Sequence, residues 1–155
     1  VGMALASKMD SRSNRVYTVM GDGELAEGSV WEGAMAAGHY HLDNLCAVID
    51  RNRLQISGKT EDVMSHEELK NRWVSFGWHV LTVADGNDPD QVSEAFRQAK
   101  ELKGKPTVVI ADTLKGFGAS IMEDKVSWHH HVPDQHEYEQ IISDFTRRKE
   151  AVIHE

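Results

Sequence analysis

Two polar residues in the sequence stand where a ligand could be bound. Asp22 lies between two glycines directly after the apolar run 15–20, and Asn52 closely follows the apolar run 45–49. Glycines let a backbone approach a ligand closely, and a carboxylate with an amide oxygen suits Mg²⁺, whose octahedral shell is completed by phosphate oxygens and water. The competing interpretation is that Gly-Asp-Gly is only a turn and Asn52 only a loop residue, because these residue types are common turn formers.

The elements that would position these residues alternate along the chain. Apolar runs rich in β-branched and aromatic residues predict strands, and apolar residues at helical spacing predict helices. The predicted strands are 15–20, 45–49, 79–84 and 107–111, and the predicted helices are 1–9, 26–41, 65–76, 90–102 and 134–155. This order predicts an α/β fold, an open parallel sheet with helices on both faces. Ligands of such sheets bind at the carboxyl ends of the strands, where Asp22 and Asn52 lie.

Local details of three segments can be predicted as well. The strand 15–20 lacks a clean alternation of apolar and polar residues, which is typical of a strand buried on both faces. Segment 51–64 has no periodic pattern and is interpreted as a functional or covering loop. Ser65 and Glu68 fit a capping box at the start of the next helix. The core is expected to include Cys46, Trp73, Trp78 and the methionines.

Composition excludes several classes of protein and partner. The chain has 155 residues, 40% hydrophobic and 27% charged, as expected of a water-soluble single domain and not of a disordered, collagen-like or membrane-spanning chain. The net charge of −8, without a large Lys/Arg cluster, argues against nucleic acid or an anionic membrane as a partner. Cys46 is the only cysteine, which excludes an internal disulfide and favours the reducing cytoplasm. Because the chain opens on Val1, we expect a piece of a longer protein.

The spacing of the two polar residues resembles a known cofactor motif. Asp22 and Asn52 are 30 positions apart, with one predicted helix and one predicted strand between them. This resembles the thiamine diphosphate and Mg²⁺ motif, in which Gly-Asp-Gly is followed by Asn about thirty residues later. Four stretches, in the family's order, then resemble the transketolase family and in particular the amino-terminal subunit of split transketolases. They are GDGELAEGSVWE at 21–32, DRNRLQ at 50–55, KGFG at 115–118 and WHHHVP at 128–133.

The resemblance covers essentially the whole chain and implies a set of site residues. It implies the thiamine diphosphate-binding fold, with residues 1–155 as one diphosphate-binding domain that is incomplete at its amino terminus. Asp22, Asn52 and the main-chain carbonyl of Leu54 match the ligands of Mg²⁺, for which Ca²⁺ or Mn²⁺ can substitute. Gly23 matches the residue whose backbone approaches the diphosphate, and Gly21 allows the tight turn beside it.

The resemblance also implies a catalytic histidine and two interface carboxylates. His129 matches a histidine that contacts the cofactor and reaches the sugar substrate, and imidazole suits proton handling near neutral pH. This sequence has His130 where the family has glycine, so the choice between His129 and His130 stays open. Glu27 and Glu32 match acidic residues at the family's subunit interface; the alternative is a solvated helix face.

The function implied by the resemblance is transfer of a two-carbon ketol unit between sugar phosphates. The family's activating glutamate lies on a separate pyrimidine-binding domain, and no part of this chain resembles that domain. We therefore expect the partner to be a pyrimidine-domain (C-terminal) transketolase subunit, in a dimer or heterotetramer, and we expect no activity from the isolated chain. The alternatives are a component of another thiamine diphosphate enzyme, of the deoxyxylulose phosphate synthase or 2-oxoacid dehydrogenase type, and a non-catalytic truncated remnant. Three features favour transketolase over the other two enzyme types: Glu27, the pair Trp31-Glu32 and the stretch 51–55.

Overall fold

A computed structural model describes residues 1–153 as an alternation of helices and strands. In chain order the elements are α1 (Gly2–Met9), β1 (Val16–Gly21), α2 (Gly28–His39), β2 (Leu45–Arg51), β3 (Leu54–Gln55), β4 (Gly58–Lys59), α3 (Thr60–Val63), α4 (Leu69–Ser75), β5 (His79–Val83), α5 (Pro89–Glu101), β6 (Thr107–Asp112) and α6 (Gln135–Ile153). Short 3-10 turns cover Asp22–Ala26 and Val126–His129. Within residues 1–153, no helix combines the length and the apolar character needed to cross a bilayer.

Four parallel strands form an open sheet in the order β1-β2-β6-β5. One face of the sheet packs against α1, α2 and α4, through residues that include Ala4, Ala37, Ile49, Trp73 and Val108. The other face packs against α5, through residues that include Cys46, Val83, Ala95, Ala99 and Val109. The α/β prediction, a parallel sheet with helices on both faces, is confirmed.

Strand β1 lies at the edge of the sheet, and exposed side chains lie on both of its faces, Tyr17 and Val19 on one and Thr18 on the other. Tyr17 is 45% exposed and Val19 is 70% exposed. Phe96 of α5 meets the ring of Tyr17 edge-on, with the two ring centroids 5.8 Å apart, but Val19 stays uncovered. The prediction that this strand is buried on both faces is therefore wrong, because an apolar strand pattern does not say whether a helix lies over it.

The segment between β2 and β5 is more ordered than predicted. It contains the antiparallel hairpin of β3 and β4 and the single turn α3, where the sequence indicated a loop. The capping-box prediction is wrong: α4 begins at Leu69, and the Ser65 hydroxyl donates to Glu61 Oε2 at 2.7 Å instead of capping the helix. Within residues 1–153, the Ser65 oxygen accepts only from the Glu67 backbone N–H, at 3.4 Å, and Glu67 lies two residues before α4 begins, so the hydroxyl does not cap that helix.

The expected core residues separate into two groups. Cys46, Trp73 and Trp78 are buried as predicted, and the rings of the two tryptophans contact each other at 4.7 Å between centroids. The prediction for the methionines is wrong for four of them, which are exposed: Met3, Met9, Met35 and Met64. Three of these lie on α1 and α2.

Helix α6 packs against the segment that follows β6. The backbone N–H and hydroxyl of Ser120 both donate to Asp144 Oδ2, at 2.8 and 2.6 Å. The Arg148 guanidinium lies 4.2 Å from the centre of the Phe117 ring. These contacts hold the segment that carries the KGFG stretch.

Candidate functional site

The register of β1 and β2 brings the two polar clusters of the sequence together. Gly21 is the partner of Asp50 at the end of the β1–β2 ladder. Asp22 begins a 3-10 turn one residue later, and Asn52 follows the end of β2. Because parallel strands end at the same edge of a sheet, residues separated by 30 positions in sequence become neighbours.

A cleft of about 510 Å³ opens at this edge. All six residues predicted from the sequence line it: Gly21, Asp22, Gly23, Asn52, Leu54 and His129. The other lining residues are Glu24, Glu27, Gln55, Ile56, Ser57 and Lys115. The structure thus brings the predicted residues into one cavity, while their roles in binding and catalysis remain predictions.

Asp22 is the most deeply buried polar group of the cleft, with 2% of its surface exposed. Its Oδ2 accepts hydrogen bonds from the Arg53 backbone N–H at 2.7 Å and from the Thr60 hydroxyl at 3.1 Å. Its Oδ1 has no hydrogen-bond partner within residues 1–153. Burial raises the pKa of Asp22, and the charge of Asp50 raises it further, while the hydrogen bonds from Arg53 and Thr60 and the nearby Gly23 backbone N–H oppose this. A buried carboxylate oxygen without a partner is costly, and a bound cation would satisfy it.

Asn52 and Leu54 supply oxygens of two other kinds. Asn52 Oδ1 accepts from the Leu54 N–H at 3.0 Å, and Asn52 Nδ2 donates to Asp50 Oδ1 at 3.3 Å. An amide oxygen has two lone pairs, so this bond leaves Asn52 able to bind a second group. Among residues 1–153, no three His, Cys, Asp or Glu side chains are grouped closely enough to hold a metal ion. A cation here would therefore use one carboxylate with neutral protein oxygens, a set that suits Mg²⁺ bound together with a phosphate.

The two glycines beside Asp22 differ in what the backbone requires. A Cβ on Gly23 would lie 3.0 Å from the Cβ of Gln55, so a side chain there would push against the β3–β4 hairpin. Gly21 has a φ of −71°, which any residue adopts, and a Cβ there would meet only Glu24 Oε2 at 3.6 Å. Space for a side chain is thus restricted at Gly23, whereas the backbone conformation at Gly21 does not itself require a glycine.

The histidine run 129–131 places its first member at the cleft. His129 ends the 3-10 turn and lines the cavity with Lys115, whereas His130 is not among the lining residues. His130 stacks edge-on against His129, with ring centroids 4.8 Å apart, and His131 Nε2 lies 2.7 Å from Glu137 Oε2. Partial burial lowers the pKa of His129, and the charges of Lys115 and His130 lower it further. This placement favours His129 over His130 for contact with a ligand.

The two predicted interface carboxylates are both exposed. Glu27 precedes the first residue of α2 and lines the cleft, and Glu32 lies on α2. Exposure is compatible with a subunit interface and with a solvated helix face, so both interpretations of Glu27 and Glu32 stay open.

Two residues with direct contacts to Asp22 were not predicted. Thr60 reaches Asp22 because the β3–β4 hairpin reverses the chain, and Gly58, with a φ of 138°, stands at this reversal. A Ser-Gly pair between two short segments is a hairpin signal and would have indicated the reversal. The contact of Arg53 is made by its backbone, so no side-chain motif could have indicated it.

The sequence of this chain is similar to those of known proteins. Residues 5–148 match the family described as the thiamine diphosphate binding domain of transketolase. The chain is 47% identical over 152 residues to an apulose-4-phosphate transketolase subunit of Phocaeicola vulgatus, covering 98% of this chain and 54% of that protein. It is 46% identical over 129 residues to a 6-deoxy-6-sulfo-D-fructose transketolase subunit of a Clostridium species, covering 83% of this chain and 46% of that protein. The chain therefore spans about half the length of these relatives.

The fold also has a counterpart among solved structures. The crystal structure of transketolase from Campylobacter jejuni superposes with a TM-score of 0.78 at 24% identity, covering 97% of this chain and 28% of that chain. The topology described above is thus found in a known transketolase, and the family match extends over all the strands of the sheet. This chain belongs to the transketolase family.

Proposed function

We propose that the cleft at the end of β1 and β2 binds Mg²⁺-thiamine diphosphate for the transfer of a two-carbon ketol unit between sugar phosphates. The observation that carries the proposal is the buried Oδ1 of Asp22, which has no partner and lies in a cleft shared with Asn52 and Leu54. An unsatisfied buried oxygen lowers stability, so its presence is better explained by a binding site than by a remnant that has lost its function.

The protein's own groups have distinct roles in this proposal. Asp22, Asn52 and the Leu54 carbonyl would hold Mg²⁺, or Ca²⁺ or Mn²⁺ in its place, and the glycines at 21 and 23 would leave room for the diphosphate. When bound, thiamine diphosphate supplies the electron sink that carbon–carbon bond cleavage requires. Lys115 lines the same cleft and brings a positive charge to the diphosphate side.

His129 is the proposed catalytic residue. Its lowered pKa keeps the imidazole neutral near pH 7, with one nitrogen that donates and one that accepts a hydrogen bond. A neutral imidazole at the cleft can orient a sugar hydroxyl and take up its proton.

The proposed partner is a pyrimidine-domain (C-terminal) transketolase subunit, in a dimer or heterotetramer. This proposal is supported by the two bacterial relatives, whose names describe both of them as transketolase subunits. The same names favour transketolase over the deoxyxylulose phosphate synthase and 2-oxoacid dehydrogenase types. We also propose a cytoplasmic location, in keeping with a single, buried, free cysteine.

The test is calorimetric titration of the chain with thiamine diphosphate in the presence and absence of Mg²⁺, with Asp22→Asn as the matched variant. The asparagine oxygen can accept the bonds that Oδ2 now accepts from Arg53 and Thr60, so this variant should fold. We expect it to lose Mg²⁺-dependent binding, and to be as stable as the wild type or more stable by about 1 kcal/mol, because a buried charge is removed.

Thermal unfolding provides the second measurement. Ligand at 100 times its dissociation constant should stabilise the wild type by about 2.7 kcal/mol and leave Asp22→Asn unchanged. Equal Mg²⁺-dependent binding by both proteins, or none by the wild type, would contradict the proposal.

A further inference from the structure

Arg53 stands between two proposed cation ligands in a backbone conformation that non-glycine residues rarely adopt. Its φ is 66°, in the left-handed region. For a residue with a side chain this conformation is unfavourable, and it persists only where the surrounding structure enforces it. Asn52 and Leu54 line the cleft, while Arg53 is not among the lining residues. The chain thus turns at Arg53, with a neighbour on each side that contributes to the cavity.

Three contacts from three different elements enforce this conformation. The Arg53 N–H donates to Asp22 Oδ2 at 2.7 Å, after the end of β1. The Arg53 carbonyl accepts from the Thr60 N–H at 3.0 Å, at the start of α3. The Arg53 guanidinium donates to Asp112 Oδ1 at 3.0 Å, at the end of β6.

The ion pair with Asp112 is the one contact of the three that depends on the side chain at position 53. Asp112 Oδ1 also lies 3.7 Å from Arg51 Nη1, so one carboxylate faces the two arginines on either side of Asn52. The Arg53 side chain is 62% exposed, and exposed ion pairs add little to overall stability. Its effect is therefore expected on the local conformation and not on the folding of the whole chain.

We infer that Arg53 is a positioning residue of the cation site: its ion pair with Asp112 offsets the cost of the left-handed backbone and holds Asn52 and Leu54 in place before the cation binds. The inference rests on the proposed function. It assigns a role to two residues, Arg53 and Asp112, that do not line the cleft. The hydrogen bond from the Leu54 N–H to Asn52 Oδ1, which spans Arg53, is the local structure that the left-handed turn maintains.

The experiment measures the binding of Mn²⁺ to the chain at saturating thiamine diphosphate, by electron paramagnetic resonance of the free ion. Arg53→Ala keeps the unfavourable backbone conformation and loses the ion pair, so we expect roughly threefold to fivefold weaker Mn²⁺ binding, which is within what one exposed ion pair can supply. Asp112→Asn should weaken binding to a similar extent. Arg53→Gly removes the backbone cost as well as the side chain, so its affinity should return to within about twofold of the wild type.

Three controls distinguish the positioning of Asn52 and Leu54 by Arg53 from a general effect of lost charge or lost stability. Arg97→Ala removes an exposed arginine that also forms ion pairs, with Glu94 and Glu101 on α5, and should leave Mn²⁺ binding unchanged. Adding Asp112→Asn to Arg53→Gly should cause little further loss, because only the longer contact of Asp112 with Arg51, at 3.7 Å, is then left to remove. The midpoint of thermal unfolding of each cofactor-free variant should stay close to that of the wild type.

The outcomes are distinguishable. Wild-type affinity in both Arg53→Ala and Asp112→Asn would overturn the inference and leave the proposed function standing. Binding by Arg53→Gly as weak as by Arg53→Ala would also overturn it, since the arginine would then act by its charge. A wild-type chain that binds no Mn²⁺ would contradict the proposed function itself.

Discussion

Asp22 and His66 are buried polar side chains that each keep one atom without a hydrogen-bond partner, but their surroundings differ. Asp22 lines the cleft, where a ligand can satisfy its free oxygen. His66 is 3% exposed and does not line the cleft. Arg72 Nη1 lies 3.2 Å from His66 Nδ1, and because an arginine can only donate, the proton of the neutral ring must be on Nε2. Within residues 1–153 that Nε2 has no partner, so the buried Nε2–H of His66 lowers the stability of the fold.

His66 should make the stability of the chain depend on pH. Burial lowers the pKa of His66, the Arg72 charge lowers it further, and the charges of Glu61 and Asp22 oppose these effects. Below about pH 6.5 the His66 side chain is protonated in the unfolded chain but stays neutral in the folded chain. The free energy of unfolding therefore decreases as the pH falls. One such group changes the free energy of unfolding by at most about 1.4 kcal/mol per pH unit.

Denaturant unfolding of the wild type and His66→Leu between pH 7.5 and 5.5 measures this effect. The decrease in unfolding free energy should be smaller in His66→Leu, while His136→Gln, at an exposed histidine, should behave like the wild type. Carboxylates whose pKa is lowered, such as Asp43, affect the pH dependence of stability only at lower pH. The folded protein loses their stabilising effect as they become protonated below about pH 4. An identical pH dependence in His66→Leu and the wild type would rule out His66 as the source.

At the scale of elements, α2 approaches the end of α4 closely enough to require a glycine. A Cβ on Gly38 would lie 1.9 Å from the carbonyl oxygen of Phe76. The Trp78 Nε1–H donates to the Ala34 carbonyl at 2.9 Å, which ties the same two regions together. The small residues Ala34 and Gly38 therefore let α2 pack closely against the chain that follows α4.

Two identical substitutions in α2 should have opposite effects. Gly38→Ala should lower the free energy of unfolding by about 1–3 kcal/mol, because the new methyl group meets a backbone carbonyl that cannot move alone. Gly33→Ala should raise it by about 0.5–1 kcal/mol, because alanine favours helix and the nearest atom, Val1 Cγ2, is 3.6 Å away. Chemical denaturation measures both, and equal stability of the two variants would refute the role of this contact.

At the scale of the whole molecule, the chain forms one wall of the proposed cofactor site. That wall consists of residues at the ends of β1 and β2, of the β3–β4 hairpin, and of Lys115 and His129, and the chain spans about half the length of its relatives. The proposed pyrimidine-domain partner would supply the opposite wall.

Reconstitution tests whether the site is divided between chains in this way. The chain alone should show no ketol transfer, and a subunit that contains it together with the rest of the length found in its relatives should be active when mixed with a pyrimidine-domain subunit. In the restored enzyme, His129→Ala should lower kcat/KM by about 10²–10⁴-fold, and His130→Ala should have a much smaller effect. Equal losses in the two variants, or activity of the chain alone, would contradict the roles proposed here.

The sequence alone determined the parts of this protein that depend on local pattern. Buried parallel strands require apolar runs, so the four strands and the helices between them were predictable, and so was the edge where Asp22 and Asn52 lie. Residues that follow two adjacent parallel strands lie close together, and the resemblance of the Asp22–Asn52 spacing to a cofactor motif predicted that both belong to one site.

Only the tertiary structure decided the features that depend on what lies opposite a residue. The exposure of Val19 depends on whether a helix lies over β1, and the absence of a Ser65 cap depends on α4 beginning only at Leu69. The same holds in the cleft, where His129 and not His130 lines the cavity. Arg53 adopts its left-handed conformation because Asp22, Thr60 and Asp112 converge on it from three elements. Such contacts join residues distant in sequence, and their energies are set by distances that no local pattern contains.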